Sequence, residues 1–246
     1  MNGDPNVGGL RGEGSSVRKY AKAAGILLLL SALAGGFGEA YVPTRLLVSG
    51  DAAATARNVH TFDSLFRWGF AAYLVEAVCD IALALVFYAL LRPVQKSLAL
   101  LSAFFGLVST AVFAGAELFY FSTSLVLGGS DSLKTFSPAQ LQTLALLFLK
   151  LYGLGGGIFL AFYGIASGLR GYLIFRSGYL PRWLGVLLML AGLGFVAKNF
   201  ALVLAPAYAS DVLLLPMFLA VVSLIVWFLT RGVDVPKWEA KQRASG

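Results

Sequence analysis

Six stretches of almost unbroken apolar residues, each near the ~20 residues a helix needs to cross a hydrocarbon core, constrain this chain more than any other feature. They run over Ala23–Val42, Leu65–Leu91, Leu98–Leu127, Leu144–Leu169, Trp183–Leu204 and Val212–Thr230. None alternates apolar with polar residues at period two, so the pattern predicts helices, which also satisfy their own backbone where water is absent. Hydrophobic residues make up 59% of the 246 and charged residues 13%, against about a quarter charged in soluble domains. The expected fold is all-α: a polytopic integral membrane protein, a compact bundle of six transmembrane helices over residues 21–231. A polar, glycine-rich segment (1–20) precedes it and a basic tail (232–246) follows.

Local signals place some of the boundaries. "SPAQ", Ser137 to Gln140, offers an N-cap serine, a proline at the first helical position and a glutamine three residues after the cap, so the fourth helix should begin before its apolar run does. "SGYLPR", Ser177 to Arg182, is a polar break that turns the chain between helices four and five. Basic residues up to Lys22 followed by "SALAGG" resemble a secretory signal. The apolar run continues toward Val42, longer than the ~7–15 residues of a signal core, so a retained first helix is expected.

Lysine and arginine set the expected orientation. Thirteen of the 19 fall at the N-terminus, in the second and fourth connections with their helix ends, and in the tail: Arg11, Arg18, Lys19, Lys22, Arg92, Lys96, Arg170, Arg176, Arg182, Arg231, Lys237, Lys241 and Arg243. Six fall on the other side: Arg45, Arg57, Arg67, Lys134, Lys150 and Lys198. The asymmetry predicts both termini in the cytoplasm. The net charge of +7 then reflects cytoplasmic rims beside anionic headgroups, and no nucleic-acid partner is expected.

Charges inside the spans are the candidate functional residues. Glu39 lies toward the outer end of helix one, Glu76 and Asp80 near the middle of helix two, Glu117 in the outer part of helix three, Lys150 early in helix four and Lys198 late in helix five, with Asn199 and Tyr120 nearby. A charge at the bilayer centre costs about 2.5 kcal/mol or more, so such groups turn inward and find partners. Two readings stand side by side: a polar cavity in the outer half that binds a small molecule or ion, or a set of buried ion pairs that fixes helix register. In the second, Lys150 and Lys198 pair with acids among Glu39, Glu76, Asp80 and Glu117. Glu76 and Asp80, one helical turn apart, should face the interior with at least one protonated at neutral pH unless a cation separates them.

Residue inventory removes several chemistries. His60 is the only histidine and belongs to the first outer connection, and Cys79 is the only cysteine, so bis-histidine haem and His/Cys zinc sites are not expected. "GIASGL" from Gly164 lacks the spacing of a nucleophile elbow, and no base accompanies its serine. No catalytic residues, no metal and no cofactor are predicted. On helix four, Gly153, Gly157, Ala161, Gly164 and Gly168 form a small-residue stripe suited to close helix approach.

"GDAAATARNV" from Gly50, "SLFRWGFAAYLVE" from Ser64, "YALLRPVQKSLALL" from Tyr88 and "GYLIFRSGYLPRWLGVLLMLAGLGF" from Gly171 resemble the bacterial membrane family catalogued as domain of unknown function 4386. The resemblance implies six helices in a bacterial inner membrane and supplies no activity. It draws attention to Arg45, Asp51, Thr55, Asn58 and Arg67 around the first outer connection, either a lid over the cavity or a loop whose Asp51 and Thr55 cap a short interfacial helix. The expected partners are the lipid bilayer and, in the alternative of an accessory or scaffold subunit without chemistry of its own, other membrane-protein subunits or a second copy of this chain.

Overall fold

The computed structural model describes residues 5–48, 50–128 and 133–245, with side chains from residue 16 onward. The described residues are helical or irregular, with no strand among them. The order is α1 (Pro5–Gly35), a π-helical segment (Gly36–Tyr41), α2 (Val42–Leu46), α3 (Ala52–Thr61), α4 (Asp63–Leu91), α5 (Lys96–Leu127), α6 (Pro138–Ser177), α7 (Arg182–Leu204), two 3-10 turns (Pro206–Tyr208 and Asp211–Leu214), α8 (Leu215–Thr230) and α9 (Val235–Ser245). Six helical runs are long and apolar enough to span a membrane: Ser16–Leu46, Asp63–Leu91, Lys96–Leu127, Pro138–Ser177, Arg182–Leu204 and Asp211–Thr230. These are the six expected spans, with longer ends. α1 is continuous from Pro5 to Gly35, so one helix carries the chain past residue 20 into the first span.

The capping signals act as their chemistry requires. Ser137 N–H donates to Gln140 Oε1 at 2.8 Å while Gln140 N–H donates to Ser137 Oγ at 3.3 Å, a reciprocal cap that starts α6 at Pro138. α6 then runs 40 residues, well beyond its apolar core. At its far end Gly178 adopts φ +77°, a left-handed conformation open to glycine at little cost. Asp51 Oδ1 accepts from Ala54 N–H at 2.8 Å and starts α3.

Contacts group the chain into two units. One comprises Met1–Leu29, Cys79–Ser109 and Leu160–Gly246. Its core includes Leu83, Phe87, Leu90, Leu173, Ile174, Leu184, Leu224 and Phe228. Within it α6 and α7 touch through backbone. A Cβ on Gly171 would lie 2.7 Å from Gly185 O, one on Gly185 2.6 Å from Phe175 N, and one on Gly164 2.8 Å from Gly192 O. Lipid tails are as apolar as leucine, so helix association here rests on close packing of this kind and not on apolar burial. α9 also joins this core: Val235 and Trp238 are buried, and Trp238 Nε1–H and the Tyr179 hydroxyl both donate to Leu90 O, at 2.9 and 2.7 Å. Leu90 belongs to the last turn of α4, whose carbonyls lack intrahelical partners, so Trp238 in the basic tail helps to cap a span.

The second unit comprises Leu30–Val78 and Thr110–Phe159. Aromatic rings fill it: Phe66 stacks on Tyr120 at 4.3 Å, Phe113 on Phe159 at 4.6 Å, and Tyr73 meets Phe113 edge-on at 5.6 Å. A Cβ on Gly155 would lie 2.6 Å from Ala116 Cβ, so α5 and α6 approach closely here as well.

Candidate functional site

The second unit holds a carboxyl surrounded by tyrosines, and an irregularity in the first span sets it up. Val42 N–H bonds to Phe37 O, five residues back, in the π register of Gly36–Tyr41. In an α-helix that donor would go to Gly38 O. The freed carbonyl is instead met from α4 by the Tyr73 hydroxyl at 2.8 Å. The fit at this contact is tight, since a Cβ at Gly38 would sit 3.1 Å from the Tyr73 ring. π-Helical turns within α-helices are frequent at functional sites.

From there a chain of hydroxyls runs inward. Tyr152 of α6 donates to the Tyr73 hydroxyl at 2.7 Å, and Tyr120 of α5 points its hydroxyl at Phe66 O, 3.4 Å away. The three rings lie 5.4 to 5.9 Å apart, centroid to centroid. Beside them lies Glu117, one turn before Tyr120 on α5 and 4% exposed. Both of its carboxyl oxygens are buried without a hydrogen-bond partner. The cause is visible: all three phenolic hydrogens are committed elsewhere, although Tyr73, Tyr120 and Tyr152 all interact electrostatically with Glu117. Glu39, exposed on the π segment, also interacts electrostatically with Glu117. Next to the tyrosines, a recess of about 10 Å³ is lined by Phe66, Tyr120, Tyr152 and five apolar residues of α2, α3 and α6 with their flanks.

The other intramembrane groups are dispersed. Glu76 is half-buried in the same unit, its carboxylate against the helix backbone at Gly35, where a Cβ would lie 2.8 Å from Oε1. Asp80 is buried and belongs to the first unit. Lys150 is exposed on α6 and not turned inward. Lys198 pairs with Asp211 at 2.6 Å and not with one of the four acids: the 3-10 turn after α7 brings an interfacial carboxylate back to its last turns, a shorter reach than any acid on another span. Asn199 bonds back to Phe195 O within α7 at 2.8 Å. The site therefore gathers Glu39 and Glu117 with Tyr73, Tyr120 and Tyr152.

The outer connection is internally satisfied. Thr55 Oγ1 accepts from Val48 N–H at 3.0 Å, and Asn58 Nδ2 donates to Leu46 O at 3.3 Å. Arg67 pairs with Asp63 at 2.7 Å, Arg45 lies over the Tyr41 ring at 5.5 Å, and His60 is exposed in the last turn of α3. Thr55 thus ties the loop to α3 and does not cap the helix, a role Asp51 fills alone. Of the small-residue stripe, Gly164 touches α7, and Gly168 N lies 2.7 Å from a Cβ placed on Gly192. Gly153 has open space around it, while Gly157 and Ala161 are half-buried on α6.

Three residues escape a reading by charge and apolar runs. Tyr73 and Tyr152 sit well inside spans and not in an interfacial belt, which is the signal that marks them. Arg170 looks like part of the basic rim but is 5% exposed, its guanidinium 5.1 Å over Phe87 and 5.9 Å over Tyr163. The absence of a side chain at Gly106 makes room for it: a Cβ there would be 2.6 Å from its Nη2.

Six apolar spans with ionisable and phenolic groups in their midst define a multi-pass integral membrane protein. Residues 23–232 match the family described as "Domain of unknown function (DUF4386)", and the chain belongs to it. A similar protein, described as "Uncharacterized protein", occurs in Archaeoglobus fulgidus: 29% identical over 119 residues, 48% of this chain and 57% of that protein. The match thus spans little over half of the relative's length. No solved structure matches.

Proposed function

We propose that this membrane protein binds a small cationic or hydrogen-bond-donating occupant at Glu117, in the half of the membrane facing away from the cytoplasm. The observation that carries the reading is the Glu117 carboxyl, buried with neither oxygen hydrogen-bonded. Leaving a buried acceptor unmade costs about 1–3 kcal/mol, and more for a charged group. Intramembrane ionisable groups kept at such expense mark ligand, ion or proton sites by default. A recess of about 10 Å³ lined by Phe66, Tyr120 and Tyr152 of the same cluster has room for about one water-sized species, which favours an ion or proton over a metabolite.

The test uses purified protein in lipid nanodiscs. Tyrosine absorbance and thermal stability are followed while pH and sodium, potassium or ammonium chloride are varied. We expect a response to at least one of these in the wild type that disappears in Glu117→Gln. Identical behaviour of the two proteins under every condition would overturn the reading.

A further inference from the structure

Resting on that reading of Glu117, we propose that its occupant is a proton, and that Glu39 is the residue through which the proton exchanges with the aqueous side. The groups that interact with Glu117 come from four elements: Glu39 from the π segment, Tyr73 from α4, Tyr120 from α5 and Tyr152 from α6, with Lys150 two residues from Tyr152 but exposed and the Glu76 carboxylate lying against Gly35. Each tyrosine hydrogen already has an acceptor. The Tyr152 to Tyr73 chain ends on the Gly38 carbonyl, which can accept but not pass a proton on. The phenols therefore do not relay to the carboxyl. Glu117 is 4% exposed and neither oxygen has a hydrogen-bond partner, and a proton neutralises such a carboxyl without needing room of its own.

Glu39 has the complementary property. It is exposed where Glu117 is buried, and the two interact electrostatically. Depth agrees. Glu39 lies seven residues before the end of its span at Leu46, and Glu117 ten residues before the end of α5 at Leu127. At 1.5 Å per residue these are about 10 and 15 Å. Consecutive spans alternate in direction, so both depths are measured from the same membrane face. In the exchange, a proton taken from hydronium by the Glu39 carboxylate passes by way of a bridging water to the Glu117 carboxylate, whose oxygens make no direct hydrogen bond to Glu39. Glu39 is left anionic and takes the next proton from solvent, and the reverse sequence empties Glu117.

Infrared difference spectroscopy in nanodiscs, with pH and D₂O jumps, tests this. We expect a protonated-carboxyl band that Glu117→Gln removes and Glu117→Asp shifts. Its exchange should slow at least tenfold in Glu39→Gln and recover in Glu39→Asp. Unchanged exchange in Glu39→Gln would overturn the proposal. Absence of any Glu117 carboxyl band from pH 4 to 10, with sodium or potassium shifting the carboxylate stretch instead, would overturn the proton while leaving a cation site at Glu117. Absence of both responses would overturn the proton and the site together.

Discussion

A single hydroxyl organises the site more than any charge does. Tyr73 closes the carbonyl freed by the π segment and accepts from Tyr152, so Tyr73→Phe strands two buried polar groups, whereas Tyr152→Phe removes a donor from a hydroxyl that still has its own acceptor. With unsatisfied buried groups costing about 1–3 kcal/mol, Tyr73→Phe should lower thermal stability distinctly more than Tyr152→Phe. Equal losses in a melting assay would show that the Gly38 contact contributes nothing. Glu117, Glu39 and Tyr120 were legible in the sequence because charge in an apolar span is conspicuous. Tyr73 and Tyr152 were not, because tyrosine is amphipathic and its role depends on depth and partner. The Lys198 pair with Asp211 depends on chain geometry in the same way. Sequence places Asp211 outside the membrane, and only the return of the chain after α7 brings it within 2.6 Å of the lysine.

At the scale of helices, α6 shows how a pattern read along one face can be right in kind and partly wrong in place. A 40-residue helix meets different neighbours along its length, so the contact glycines are Gly155 against α5 and Gly164 and Gly171 against α7, not one continuous stripe. Gly192→Leu on α7 would drive a side chain into the α6 backbone at Gly164 and Gly168. It should cost upward of about 3 kcal/mol, since overpacking against backbone has no rotamer escape. Gly153→Ala meets open space and should be neutral or stabilise by up to about 1 kcal/mol through helix propensity. Comparable destabilisation by the two substitutions, measured by thermal melting in detergent, would refute the seam. The last helix, α9, carries a pH dependence of its own. Lys237 bonds to the Asp234 carboxyl through side chain and backbone and holds its pKa below the usual carboxylate value. The stabilisation is present above the unfolded pKa of about 4 and is lost as pH falls through the lower folded value. Proteolysis of α9 should therefore rise at low pH in the wild type and already be raised at neutral pH in Asp234→Asn; a variant indistinguishable from wild type at pH 7 would assign the pair no anchoring role.

Large apolar side chains turn outward as readily as inward: Trp68, Val78, Leu85 and Leu118 are all well exposed on the spans. That distribution suits a lipid solvent and follows from composition alone, which is why six spans could be read from the sequence while their partners could not. Sidedness decides which compartment Glu39 would exchange with. Burial of Arg170 removes one cation from the side carrying thirteen, and the twelve against six that remain keep cytoplasmic termini as the expectation to be tested. Native Cys79 is buried, so its replacement by alanine gives a thiol-free background. In that background a cysteine at Lys241 should react with a membrane-impermeant maleimide only after the cells are opened, and a cysteine at Arg57 should react in intact cells. Labelling of the Lys241 position alone in intact cells would invert the topology, and the proton exchange at Glu39 would then face the cytoplasm.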